Sequence, residues 1–144
     1  MFYGCSSLTT APELPATTLK LCCYMSMFRN CTSLTTAPSL PATTLQVQCY
    51  QSMFYGCTSL TTAPNLPATR LELQCYYQMF YDCTLLNYVK ALFTTDISSN
   101  TTYTENWLYN VAATGTFVKH FDSTISTGTS GIPSGWTIQE IDPT

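Results

Sequence analysis

Charge is scarce in this sequence. Asp, Glu, Lys and Arg make up 9% of its 144 residues, where ~25% is usual. The positive groups are only Lys20, Arg29, Arg70, Lys90 and Lys119, and the net charge is −3. Neutralising a phosphate backbone takes clustered Lys and Arg, so nucleic-acid binding is excluded. Nothing approaches the ~18 consecutive apolar residues of a spanning helix, which argues against direct membrane insertion. The opening Met1-Phe2-Tyr3-Gly4-Cys5 has neither the basic flank nor the apolar stretch of a signal peptide. Histidine occurs once, at His120, and there is no Cys-x-x-Cys pair, no Gly-x-Ser-x-Gly elbow and no glycine-rich phosphate loop. The short signatures of zinc sites, serine hydrolases and nucleotide binding are therefore missing. Solvation falls to neutral groups, above all threonine pairs such as Thr9-Thr10, Thr35-Thr36 and Thr61-Thr62. A chain of this length can bury about two thirds of the surface it exposes when unfolded, enough for one core.

What the sequence has instead is a repeat. Cys5, Cys31, Cys57 and Cys83 are each 26 apart, and Cys23, Cys49 and Cys75 keep the same interval. The blocks Cys31-Thr32-Ser33-Leu34-Thr35-Thr36-Ala37-Pro38 and Cys57-Thr58-Ser59-Leu60-Thr61-Thr62-Ala63-Pro64 are identical. A period between 20 and 29 belongs to leucine-rich-repeat solenoids, in which one turn cannot bury its apolar side and must stack on its neighbours. Met1, Met27, Met53 and Met79 form one more series, so the chain is expected to start inside a turn of a longer protein, with an uncapped N-terminal turn open to end-to-end association.

Within each turn, the alternation Leu19-x-Leu21-x-Cys23, repeated as Leu45-x-Val47-x-Cys49 and Leu71-x-Leu73-x-Cys75, has the period of a half-buried strand with those residues inward. Leu8, Leu34, Leu60 and Leu86 mark a second extended segment, stopped by prolines such as Pro38 and Pro41, which cannot donate to a ladder. Cys49, Met53 and Phe54 at i, i+4 and i+5 predict one short helical turn facing the core, released by Gly56. The expected fold is a leucine-rich-repeat solenoid of short parallel strands and helical turns over 1–86. An α+β C-terminal cap follows over 87–144. In that cap Thr104 is expected to N-cap a helix carrying Trp107, Leu108 and Val111, followed by strands over 116–121 and 136–141.

The string Met53-Phe54-Tyr55-Gly56-Cys57-Thr58-Ser59-Leu60, followed by Ala63-Pro64-x-Leu66-Pro67, resembles the BspA-like leucine-rich repeats of bacterial surface proteins, whose pattern is an Ala-Phe-x-Gly-Cys-x-x-Leu run. Here Met replaces the small Ala and the period is longer, as in a variant of the family. The resemblance covers residues 1 to about 86. The segments Glu105-Asn106-Trp107-Leu108 and Gly131-Ile132-Pro133-Ser134-Gly135-Trp136-Thr137 are similar to the C-terminal parts of such proteins in gut bacteria and their phages. The resemblance implies an extracellular or cell-surface location and attachment to a host protein or glycan. It carries over no ligand residue.

The eight cysteines read as small inward hydrophobes, because in-register side chains point the same way and keep their Cβ atoms too far apart for a disulfide. Cys22, outward beside Cys23, is the exception. His120 and Asp122 suggest acid-base work, but no serine is marked as their partner, and no enzymatic activity, metal or cofactor is expected. The candidate contact residues are the outward ones that change from turn to turn. Lys20, Gln46 and Glu72 form one row, with Gln48 and Gln74 beside it. Tyr55 and Tyr81 form another, since exposed tyrosines are good contact groups. The reading is a non-enzymatic binding or adhesion module. The rival is a structural spacer or fibre unit whose faces contact nothing specific.

Overall fold

The structure, a computed structural model, describes residues 1–144. Its regular elements are few: β1 (Tyr88–Ala91), one 3-10 turn (Thr101–Tyr103), β2 (Thr116–His120) and β3 (Thr137–Ile141). The three strands form one parallel sheet in the order β1-β2-β3, with Tyr88 opposite Thr116 and Thr116 opposite Thr137. This corrects the expected fold. The leucine-rich-repeat solenoid with a strand and a helical turn in every repeat does not form, and neither does the helix expected after Thr104. The strands expected over 116–121 and 136–141 are β2 and β3.

Most of the chain is built from turns, and the 26-residue period appears in how they bond. The segment Lys20–Cys31 alternates two kinds of backbone hydrogen bond. The N–H groups of Cys23, Met25, Met27, Arg29 and Cys31 each donate to the carbonyl three residues back. Those of Cys22, Tyr24, Ser26, Phe28 and Asn30 each donate to a carbonyl 25 residues ahead, from Val47 to Tyr55. The next segment bonds in the same way to the one after it. Half of the N–H groups therefore close turns and half tie one tier to the next, which satisfies the donors without a helix or a strand.

The backbone itself excludes a helix here. Every fourth residue is left-handed: Cys22, Ser26 and Asn30; Gln48, Ser52 and Gly56; Gln74, Gln78 and Asp82. Such a φ is incompatible with a right-handed helix. The period-four burial of Cys49, Tyr50, Met53, Phe54 and Cys57 is thus that of paired turns, which ten residues of sequence do not distinguish from a period of 3.6.

The missing strands have an equally local cause. Isolated bridges join Thr10 to Thr36 and Thr62 to Tyr88, so the extended segments do lie side by side. Prolines at 12, 38 and 64 interrupt them, since a proline has no N–H for the ladder. In the tier above, in register from Thr62 opposite Tyr88, Lys90 stands where Pro64 would be. There β1 forms.

The core is one continuous cluster running through all tiers. Phe2, Phe28, Phe54 and Phe80 stack with ring centroids 5.4, 5.7 and 5.5 Å apart. Tyr24, Tyr50 and Tyr76 stack beside them and end on Trp107, 5.8 Å away. Leu34, Leu60 and Leu86 are fully buried, as are Cys31, Cys49, Cys57, Cys75 and Cys83. All eight cysteines are free thiols. The tie between tiers continues past residue 86, through Tyr76 to Tyr103, Phe80 to Trp107 and Asp82 to Tyr109.

Candidate binding face

The turn segments have two faces. Alternate residues split between them with a period of four, so that Cys49, Met53 and Cys57 are buried while Val47, Gln51 and Tyr55 of the same segment reach the surface. This corrects the expected inward alternation. Leu21 and Leu73 point outward, 65% and 46% exposed, and Val47 is half-buried between them in register. Cys23 is exposed in the lowest tier, although Cys49 and Cys75 above it are fully buried.

The outer face thus consists of columns running across the tiers. Leu21, Val47 and Leu73 make the first, and Met25, Gln51 and Tyr77 the second. The third holds Tyr3, Arg29, Tyr55, Tyr81 and Tyr109. Tyr55 and Tyr81 stack with centroids 4.6 Å apart, and Tyr81 and Tyr109 with centroids 4.7 Å apart. Below them the Arg29 guanidinium lies 4.0 Å from the centre of the Tyr55 ring and 5.9 Å from that of Tyr3. The column therefore joins both expected tyrosines to Arg29, their expected register partner, and to Tyr3 and Tyr109, which were not expected there. Tyr109 escapes the 26-residue count because it follows Tyr81 by 28. Its backbone carbonyl nevertheless takes the tier bond from Asp82.

The electrostatics of this column are simple. Arg29 makes no ion pair, the one ion pair in the molecule being Lys119 with Glu140 at 3.0 Å. Its Nε is buried without a partner, as is Oε1 of Gln51 in the neighbouring column. Desolvation in the stack, then its neighbours Tyr55 and Tyr109, push the Tyr81 phenol above its ordinary value. The carboxylate of Asp82 accepts from the Asn110 amide at 3.0 Å.

The other expected contact residues are placed differently. Lys20, Gln46 and Glu72 are all exposed, and Glu72 borders an open groove of about 340 Å³ lined by Thr43, Thr44, Thr69 and Arg70. Gln48 and Gln74 belong to a ladder along the tiers. The Cys22 thiol donates to Oε1 of Gln48 at 3.2 Å, and Nε2 of Gln48 donates to Oε1 of Gln74 at 2.9 Å. Much of their hydrogen-bonding capacity is spent on holding tiers together.

Nδ1 of His120 accepts from the Asp122 backbone N–H at 3.0 Å, whereas in a catalytic triad that nitrogen donates its proton to the orienting carboxylate. No group of three His, Cys, Asp or Glu side chains comes close enough to hold a metal ion, and no helix is long and apolar enough to cross a membrane. No family model matches the chain, and no curated protein or solved structure matches it.

Proposed function

We propose that this chain is a non-enzymatic binding or adhesion module, acting at a cell surface or outside the cell, which contacts a host protein or glycan through outward positions of its tiers. The observation that carries the reading is the outer face. Apolar and aromatic side chains lie there in columns, and they change between tiers without touching the core behind them. Met25, Gln51 and Tyr77 succeed one another at one position, whereas the core position behind them is Phe28, Phe54 and Phe80 throughout. Exposed aromatics and arginine are the groups enriched where proteins bind one another. The likeness of Met53–Leu60 to repeats of bacterial surface proteins supports the extracellular setting.

The tyrosine column is favoured over the Lys20, Gln46, Glu72 row because its side chains are pre-ordered by stacking. Less side-chain entropy is then lost when a partner arrives. The second reading, a spacer or fibre unit, is supported by the ladder through Cys22, Gln48 and Gln74, which holds tiers together and offers little outward.

Retention of the full chain on immobilised extracellular-matrix proteins, mucins and a glycan array separates the two readings. Saturable binding to at least one of them is expected. A flat response on every surface, from protein shown to be folded by circular dichroism, leaves the spacer.

A further inference from the structure

The outer face has one feature that its own tiers do not explain. Four of the five members of its third column are tyrosines, and the fifth, Arg29, is a cation with no carboxylate opposite it. The guanidinium lies against Tyr55 at 4.0 Å and reaches toward Tyr3 at 5.9 Å. Aromatic rings on either side take the faces of the guanidinium and leave its edge, where the N–H donors lie. Flanking rings also exclude water from the cation, which strengthens any charge-assisted hydrogen bond to that edge.

The surroundings indicate what kind of molecule brings the matching anion. One concavity, of about 280 Å³, meets the column at its Tyr109 end, but none is lined by Arg29, Tyr55, Tyr77, Leu21 or Leu73, so nothing around the cation encloses a small ligand. The Tyr55 and Tyr81 rings stack on each other at 4.6 Å and on their neighbours. Beside Arg29 a sugar ring, which needs an open aromatic face, meets only ring edges, because Tyr55 is stacked between the guanidinium and Tyr81. Beside the column, Leu21, Met25 and Leu73 are 65%, 44% and 46% exposed. A flat surface of aliphatic side chains, tyrosine edges and one unpaired arginine matches the centre of a protein interface.

Resting on the adhesion reading above, we infer that the partner is a protein that sets a carboxylate against the edge of Arg29, beside Tyr55, and lays apolar side chains on the Leu21 and Met25 columns. Charge complementarity fixes where it docks, and the apolar columns supply the area.

Selection of a random twelve-residue peptide display library against the purified full chain tests this directly. The decisive variant is Arg29→Tyr, which removes the charge but places at 29 the residue that positions 3, 55, 81 and 109 already carry, so the stack and the fold are retained. Enriched peptides are expected to share an Asp or Glu next to apolar or aromatic residues. They should bind Arg29→Tyr at least tenfold more weakly, with an unchanged thermal midpoint. Should Arg29→Tyr shift that midpoint, Arg29→Lys, which keeps the charge and loses the planar fork, should still weaken binding severalfold. Enriched peptides without an acidic residue, or equal binding by Arg29→Tyr, overturn the inference while leaving a binding module in place. Selective capture of a neutral glycan in preference to any peptide does the same. No enrichment of any peptide, with no glycan bound, overturns both the inference and the adhesion reading.

Discussion

The thiol of Cys57 donates to the backbone carbonyl of Phe28, 3.1 Å away in the tier below. Cys31 does the same to Phe2 at 2.9 Å and Cys83 to Phe54 at 3.0 Å. Each of these carbonyls also accepts the N–H three residues ahead of it, as Phe28 does from Cys31. Cysteine at this position fills a small apolar slot and occupies the second lone pair of a buried carbonyl. That dual role explains why the series recurs every 26 residues without a disulfide or a metal.

Thiol counting follows directly. Denatured, unreduced protein should release eight titratable thiols. The native protein should expose only the three that are not buried, Cys5, Cys22 and Cys23. A native count near eight would mean that the tiers do not close over Cys57 and Cys75.

Alkaline pH should destabilise the fold, and the sign comes from burial. Desolvation pushes the thiols of Cys49 and Cys57 from 9.0 up to about 11 and about 12, so the folded state favours their protonated form. Their stabilising contribution is complete below pH ~9 and is lost as the pH rises toward those values, by about 1.4 kcal/mol per pH unit for each thiol. The urea midpoint should therefore fall between pH 8.5 and pH 10.5, both values chosen as roughly bracketing the thiol range. A midpoint that does not move would contradict the burial of the cysteine columns.

Leu60 is fully buried between tiers. Leu60→Ala should cost roughly 2–5 kcal/mol, the usual range for a buried leucine that leaves a cavity, read as a lower denaturation midpoint. With so few tiers the loss should be cooperative, since each tier's apolar side is covered only by its neighbours.

The left-handed positions give a prediction that a helix would not share. Gly56 has φ of +74°, and a Cβ there would run into Oδ1 of Asn30. Gly56→Ala should destabilise by about 1–3 kcal/mol. Ser52, left-handed with φ of 53° inside the segment expected to be helical, separates the two backbones: Ser52→Gly should be neutral or stabilising here, whereas inside a helical turn it would cost up to about 1 kcal/mol.

How far these features could be read from the residues depends on their range. The interval of 26 and the burial of Leu34, Leu60, Met53 and Phe54 were legible, because identical residues in identical register must stack. The backbone between them was not. Most left-handed positions are held by Cys22, Ser26, Gln48, Ser52, Gln74 and Gln78, and only Asn30, Gly56 and Asp82, at one end of each segment, carry residue types that signal such a φ. Leu21, Val47 and Leu73 alternate with Leu19 and Cys23 as strand residues would, yet a turn at Cys22, Gln48 and Gln74 sends them outward. In the candidate face Tyr55 and Tyr81 were visible from the repeat. Arg29 was recognisable only as their register partner, and Tyr109 lay beyond a two-residue slip in the period.

The face itself is tested most directly by comparing two variants of the full chain on whichever surface the wild type binds. One carries Tyr55→Ser with Tyr81→Ser, and the other carries Lys20→Ala, Gln46→Ala and Glu72→Ala. All six positions of interest, with Arg29 among them, lie outside the core cluster, so both variants should keep the wild-type circular dichroism spectrum. The tyrosine pair should lose at least tenfold in affinity, about 1.4 kcal/mol or more, and the Lys20 row should change it by less than about twofold. Full binding by the tyrosine variant, with loss in the Lys20 row, would place the contact surface on Lys20, Gln46 and Glu72 instead.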